Sequence, residues 1–264
     1  MRKEEGEEIE EKAEDVDLRP GPNADAPADV QRYIASDILQ TYDVFSYRHA
    51  AAILANSFPE QLREIEDALR AFRITIRDIG APGGNESDMP RKFSRTLRPA
   101  GWVETRIQGD LLVRMQEFEE HFAPDGRGKK VKRAEGPPTT IENFIDGHKI
   151  DYVKGRVAFD LEWNSKDQTF DRDLYAFRAF HECGLISVGV MVTRSASLNA
   201  VFEKVPQLDK FGEPVGKSVK AKYGASTTWM GKLLYRLNAG RHGGCPVLAF
   251  GITPSIIEDW KIEP

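Results

Sequence analysis

The clearest chemistry in this chain lies in three carboxylates: Asp151, in the segment Ile150-Asp-Tyr152, and Asp160 and Glu162, in Phe159-Asp-Leu-Glu-Trp163. Residues 156–163 read as a strand, so Asp160 and Glu162, two apart, project from one face. Phe159, Leu161 and Trp163 take the other face, toward apolar packing. Asp151 lies on a shorter strand candidate, His148 to Val153, and Gly155 supplies a turn that can bring the two strands antiparallel. Three acids would then share one small volume. Crowded carboxylates repel unless a cation neutralises them, and hard oxygen ligands of this kind suit Mg²⁺. The chemistry open to such a centre is activation of a water against phosphorus, that is, phosphodiester hydrolysis. The ordinary alternative is a half-exposed strand whose alternating acids are simply solvated.

The elements that must position these residues follow from periodicity and breakers. Residues 1–30 are charged, then rich in Pro, Ala and Asn, and read as a flexible acidic leader. A helical part follows at about 30–77, where Ile65, Leu69 and Phe72 recur at helical spacing. The segment from Ala81 to Pro90 breaks it, residues 89–98 read as a short basic helix, and residues 124–140 as a polar loop. Beyond residue 141 the pattern changes. After the two acidic strands, Asp171 to Cys183 reads as a helix with Leu174, Ala176, Phe177 and Phe180 inward, ended by Gly184. Leu185 to Thr193 is a nearly continuous apolar strand; helices at 197–204 and 227–238 and a buried strand at 246–252 complete the series. This order predicts an α/β fold over residues 31–264: one domain, a central mixed sheet flanked by helices, with an N-terminal helical part.

With 264 residues, 40% of them apolar, the chain can bury a sizeable core. No apolar run reaches the roughly 20 residues that span a bilayer, which excludes a membrane helix. The acidic N-terminus lacks a secretory apolar stretch. Cys183 and Cys245 sit in apolar surroundings and read as buried thiols of a reducing compartment, hence a cytoplasmic location. A net charge of -5 suits a polyanion partner poorly, but residues 1–19 alone hold nine acids against four bases, which leaves the rest of the chain balanced. Two basic clusters stand out: Arg91, Lys92, Arg95 and Arg98, and Arg127, Lys129, Lys130, Lys132 and Arg133. Each reads either as a phosphate-binding patch or as a solvated loop.

Asp151 followed nine residues later by Asp160-Leu-Glu162, on two adjoining strands, resembles the PD-(D/E)XK nuclease signature. Glu162 stands where most of that superfamily has Lys, and Glu or Gln there points to the BglII/BamHI group of type II restriction endonucleases. The segments Asp160-Leu-Glu-Trp-Asn-Ser-Lys-Asp167, Gly83-Gly-Asn-Glu-Ser87, Gly101-Trp102, Ala225-Ser-Thr-Thr228 and Gly243-Gly-Cys-Pro-Val-Leu248 are similar to relatives assigned to that family. The similarity runs from about residue 40 to 255.

This resemblance implies a single PD-(D/E)XK domain that cuts double-stranded DNA at a short palindromic site, with Mg²⁺, as a homodimer. A methyltransferase is then expected to protect the host's own DNA. By position, Asp151 would be a metal ligand that also meets the scissile phosphate, and Asp160 a second ligand at a place usually held by Glu. Glu162 would position or deprotonate the attacking water. The family adds an acid or amide from an upstream helix, for which Glu117 and Glu120 are candidates. The segment after the third strand would reach base edges, with Arg194 donating to guanine, Asn199 pairing with adenine, and Ser195 and Ser197 discriminating less. The same segment also fits an ordinary strand-to-helix turn with Ser and Asn caps. Lys166 reads as a phosphate contact or a solvated lysine, and His148 and His181 as structural. Two other functions share these features: a nuclease of DNA repair or RNA processing, and a catalytically silent DNA-binding protein.

Overall fold

Three β-branched, apolar runs form the centre of a computed structural model that describes residues 20–82, 88–133, 135–145, 147–224 and 226–260. Helices α1 Pro27–Val30, α2 Ser36–Thr41, α3 Ala50–Ser57, α4 Pro59–Ala71, α5 Ile76–Gly80 and α6 Asp88–Leu97 precede the acidic strands, and strand β1 Tyr42–Tyr47 lies among them. Strands β2 Val103–Arg106, β3 Gly109–Val113, β4 Phe118–Phe122, β5 Gly128–Lys132 and β6 Thr139–Ile145 follow. The acids ride on β7 Lys149–Lys154 and β8 Val157–Glu162. Then come α7 Thr169–Glu182, β9 Val188–Arg194, α8 Asn199–Lys204, β10 Pro206–Leu208, β11 Pro214–Ser218, α9 Met230–Asn238 and β12 Val247–Ile252.

The chain divides into two compact units, one running to Thr105 and resuming at Ile150, the other Arg106–Lys149. The larger unit carries a six-stranded mixed sheet in the order β1-β12-β9-β8-β7-β2. Strands β8, β9 and β12 are mutually parallel, with Val157 opposite Val188 and Gly189 opposite Val247. Strand β7 turns back antiparallel on β8 through Gly155, whose φ of +58° is one that glycine adopts freely. The expected α/β fold with a helix-flanked mixed sheet is the one observed.

One sheet face, with Phe159, Leu161, Val190, Val192, Leu248 and Phe250, packs on the helices that precede β2, against Leu54, Ile65, Leu69, Phe72 and Phe93. The opposite face takes α7, through the buried side chains of Phe170, Leu174, Phe177 and Phe180. Gly189 on β9 permits that approach, because a Cβ there would lie 2.4 Å from the Phe177 ring. Both faces of β8 and β9 are covered, which is why these strands are apolar almost throughout.

Several expectations need correction. The helical part at 30–77 is interrupted by β1, which pairs antiparallel with β12 some two hundred residues later. The leader expected to be flexible to residue 30 is anchored over residues 20–30: Val30 is buried, and Asp25 accepts hydrogen bonds from Ser46 and from the His49 backbone. Residues 1–19 lie outside the described residues, as do Gly83 to Ser87 and Ala225. Finally, Cys183 is exposed and Cys245 is buried. Cys183 follows the last inward turn of α7 as its C-cap, so its apolar neighbours in sequence do not enclose it.

The smaller unit holds two antiparallel ribbons, β3 with β6 and β4 with β5. The stretch 124–140, expected to be a loop, therefore contains β5 and the start of β6. Opposite charges across the ribbon explain the pairing better than apolar burial does: Glu120 faces Lys130, and Arg133 bonds Glu117 and Glu119. Glu117 and Glu120 thus belong to a ribbon and not to an upstream helix.

Candidate active site

The β7–β8 hairpin places its acids by register. Tyr152 pairs with Phe159, so Asp151 comes opposite Asp160 on the face that also bears Glu162. Like charges directly across a strand pair repel, and here the Asp151 backbone N–H offsets part of this by donating to Asp160 Oδ1 at 2.7 Å. Asp160 and Glu162 are both buried, at 4% and 8% exposure. The strand-face geometry expected for the three acids is present.

A fourth carboxylate joins them. Asp173, on the inner side of α7, is 3% exposed. Its charge acts on Asp151, Asp160 and Glu162 alike, and its carboxyl lies close beside that of Glu162. Sequence reasoning took Leu174, Phe177 and Phe180 as the inward stripe of this helix and passed over Asp173, which lies on the same stripe. An acid within an inward apolar stripe, eleven residues beyond Glu162, was the signal.

The electrostatics are those of a site short of positive charge. Burial, then Asp173, then Asp151 hold the Asp160 carboxyl well above the usual carboxylate range. Burial and Asp173 push Glu162 up to about 8. Asp151 is raised by burial and by Asp173 and Glu104, while Arg98 and Arg172 pull it down. Of these two guanidinium groups, Arg172 stands at the acid face, its Nη2 2.9 Å from Asp173 and 3.7 Å from Glu162, whereas Arg98 lies 4.4 Å over the ring of Tyr152, which points from the other side of the strand.

The donor set fits a hard divalent cation. Asp160 Oδ2 and Glu162 Oε2 are buried with no hydrogen-bond partner, a costly arrangement unless something else answers their charge. Mg²⁺ keeps several waters and takes only one or two protein carboxylates beside substrate phosphate, which this donor set can supply.

The expected base-reading segment divides into two kinds of residue. Arg194 continues the inward face of Val188, Val190 and Val192 and is 2% exposed. Its Nε donates to the Trp163 carbonyl at 2.7 Å, and Nη2 to Thr227 Oγ1 and the Thr228 carbonyl at 2.5 and 2.7 Å. The guanidinium also lies over the Phe202 and Tyr223 rings, and burial lowers its pKa to about 10. The donor expected at guanine is engaged inside the fold. Ser195 is likewise buried: its Oγ donates to Asp43 at 2.5 Å and accepts the Ser197 backbone N–H at 3.1 Å, which is the capping alternative.

Ser197 and Asn199 are exposed, and so is Lys166. They follow the C-terminal ends of β9 and β8, the end of the sheet at which Glu162 stands opposite Thr193. Ligands of open α/β sheets gather beyond this end of parallel strands. His181 Nδ1 lies 3.3 Å from the Ile186 carbonyl, a structural contact.

The basic clusters are less free than their sequence suggests. Arg91 pairs with Asp88 and Lys92 with Asp78. In the smaller unit, Arg127 pairs with Asp125, Lys132 with Glu135 and Arg133 with Glu117 and Glu119. Part of each patch is thus answered by neighbouring acids.

A family model described as restriction endonuclease BglII/BglIII matches residues 42–252. The match spans β1 to β12 and includes Asp151, Asp160, Glu162 and Asp173. No curated protein matches the chain.

Proposed function

The chain belongs to the BglII/BglIII restriction endonuclease family, hydrolases acting on DNA, and from that premise we propose that it is a type II enzyme cutting duplex DNA at a short palindromic site with Mg²⁺. The observation that carries this reading is the meeting of Asp151 with the buried Asp160, Glu162 and Asp173, three of whose carboxylate oxygens lack a hydrogen-bond partner. Asp151 and Asp160 would hold the cation. When bound, it would supply Lewis-acid polarisation of the phosphate and a more acidic water. Glu162, two residues from Asp160 on the same strand face, would take a proton from the attacking water. It can also fix that water's position. Asp173, whose charge raises Glu162, sets the electrostatics around that carboxyl.

Asn199 and Ser197, exposed past β9, are the residues we assign to base edges, and Lys166 to a phosphate. A palindromic site is read most simply by two copies related by a two-fold axis, so we infer a homodimer. The two free cysteines fit a reducing cytoplasm, where a methyltransferase would shield host DNA. Among the described residues no helix is long and apolar enough to cross a membrane.

The test is run-off sequencing of phage DNA digested by the whole chain with Mg²⁺. Fragment ends at one recurring palindrome are expected. Cutting confined to damaged or branched DNA, or to RNA, would replace restriction by repair or processing. Binding without cutting under any divalent cation would make the chain a silent DNA-binding protein.

A further inference from the structure

A guanidinium stands at the rim of the acid face, on the residue just before Asp173. Arg172 Nε and Nη2 both donate to one oxygen, Asp173 Oδ1, at 3.0 and 2.9 Å. This is not the parallel fork onto two oxygens that saturates an Arg–carboxylate pair. It engages two of the five N–H groups a guanidinium carries. Nη2 also lies 3.7 Å from Glu162 Oε1. The acids it reaches are 3% and 10% exposed in their side chains, whereas Arg172 keeps 51%. One edge of the cation therefore rests on the buried carboxylates while the rest faces solvent.

Position and chemistry together give this residue a task. Cleavage gathers negative charge on the non-bridging oxygens of a phosphate, and here that charge would develop beside four carboxylates. Glu162 occupies the motif position at which a Lys would have supplied a positive charge. We propose that Arg172 is a further catalytic residue, its guanidinium contacting a non-bridging oxygen of the phosphate being cut and stabilising the charge that develops there. The inference rests on the nuclease reading above. In the step it assists, the water oxygen bonds to phosphorus as its proton passes to Glu162, the bond to the leaving oxygen breaks, and that oxygen takes a proton from solvent. Arg172 stays protonated throughout. Without substrate its inner edge holds Asp173 and Glu162 together, and on substrate its free donors turn to the phosphate.

The experiment compares the whole wild-type chain with Arg172→Ala and Arg172→Lys on a duplex carrying the mapped site. It reads the single-turnover rate at saturating enzyme with Mg²⁺, duplex affinity with Ca²⁺, and thermal stability. Arg172→Ala is expected to slow the chemical step by about 10²- to 10³-fold, the effect of losing one charge-stabilising donor. Its Ca²⁺-supported affinity should change by less than about tenfold, since one phosphate contact of several is lost. Free guanidinium at millimolar concentration should restore the alanine variant's rate at least about tenfold, the added cation taking the vacated place at the developing charge. Arg172→Lys, which keeps the charge, should fall between wild type and alanine, and it replaces alanine if that variant fails to fold. A wild-type rate in the alanine variant, an equal loss of affinity and rate, or no recovery with either guanidinium or Lys would overturn the proposal. If the wild type itself cuts no duplex, the nuclease reading fails first. If it cuts and Arg172→Ala cuts as fast, only the role of Arg172 is lost.

Discussion

Replacing Glu162 by Gln removes one carboxylate from the buried face while keeping its shape and its acceptor oxygen. Glu162 is 8% exposed and its carboxyl is pushed from 4.5 to about 8 by burial and by Asp173. An acid whose folded pKa lies above its unfolded value holds its proton in the fold. Its contribution to stability is therefore fully present below about pH 4.5 and is lost as pH rises through about 8. At about 1.4 kcal/mol per unit, ionising the unfolded side chain disfavours the fold by about 3 kcal/mol at pH 7 and by less than about 1 kcal/mol at pH 5. Protons shared with Asp173 and Asp160 spread this over the cluster, so about 3 kcal/mol is the upper bound for Glu162 itself. The Gln variant should thus be more stable than wild type in EDTA at pH 7. The difference corresponds to at most about 5–10 °C in melting temperature for a chain of this size. At pH 5 the two curves should nearly coincide, and Mg²⁺ at pH 7 should raise wild type more than the variant. The assay is a pair of thermal melts at each pH, with and without Mg²⁺. Equal melting temperatures in EDTA at pH 7, or a less stable variant, would refute the idea that Glu162 is a repelled acid. Cleavage adds a second reading of the same variant: Gln can anchor a water but cannot take its proton, so retained cutting identifies an anchor and abolished cutting a base.

Asp160→Asn should abolish cleavage while Ca²⁺-supported binding to the mapped duplex survives, because it removes ligand charge and no phosphate or base contact. Normal cutting by this variant in a gel assay would move the centre elsewhere. Asn199→Ala should relax discrimination at one base position by about 1–3 kcal/mol in competitive cleavage of site variants, if its amide pairs with an adenine. Uniform loss across all sequences would remove it from the recognition set. Arg194→Met should leave site choice unchanged and lower stability by about 2–4 kcal/mol in denaturant titration, since the Trp163 and Thr228 carbonyls lose their buried donor. A stable variant with altered site preference would contradict the buried role.

Local pattern was sufficient for whatever depends on residues close in sequence. The two-residue alternation of Phe159-Asp-Leu-Glu162 put both acids on one face, and Gly155 announced the hairpin that brings Asp151 opposite Asp160. The apolar runs that became β9 and β12, and the inward stripe of α7, were equally plain. These follow from side-chain period and turn chemistry, which a sequence states directly. Even Arg194 was legible in principle, since it continues the two-residue period of Val188, Val190 and Val192 into the core.

Other features needed partners distant in sequence. Strand β1 carries no helix-breaking signal strong enough to separate it from its helical neighbours. It exists because β12 offers an open edge, and only the assembled sheet provides one. The β4–β5 ribbon is held by ion pairs across strands, so its sequence looks like a polar loop with a free basic cluster until the acids opposite are placed. Asp173 reads as an interruption of an apolar stripe until α7 packs on β8 and sets it beside Glu162. The sequence by itself determined three acids on a hairpin, a cation-seeking pattern and the family to which it belongs. Tertiary packing decided the fourth acid, the flanking Arg172 and the burial that raises these carboxyls. Desolvation and charge–charge repulsion depend on distances between elements, and a one-dimensional string does not contain those distances.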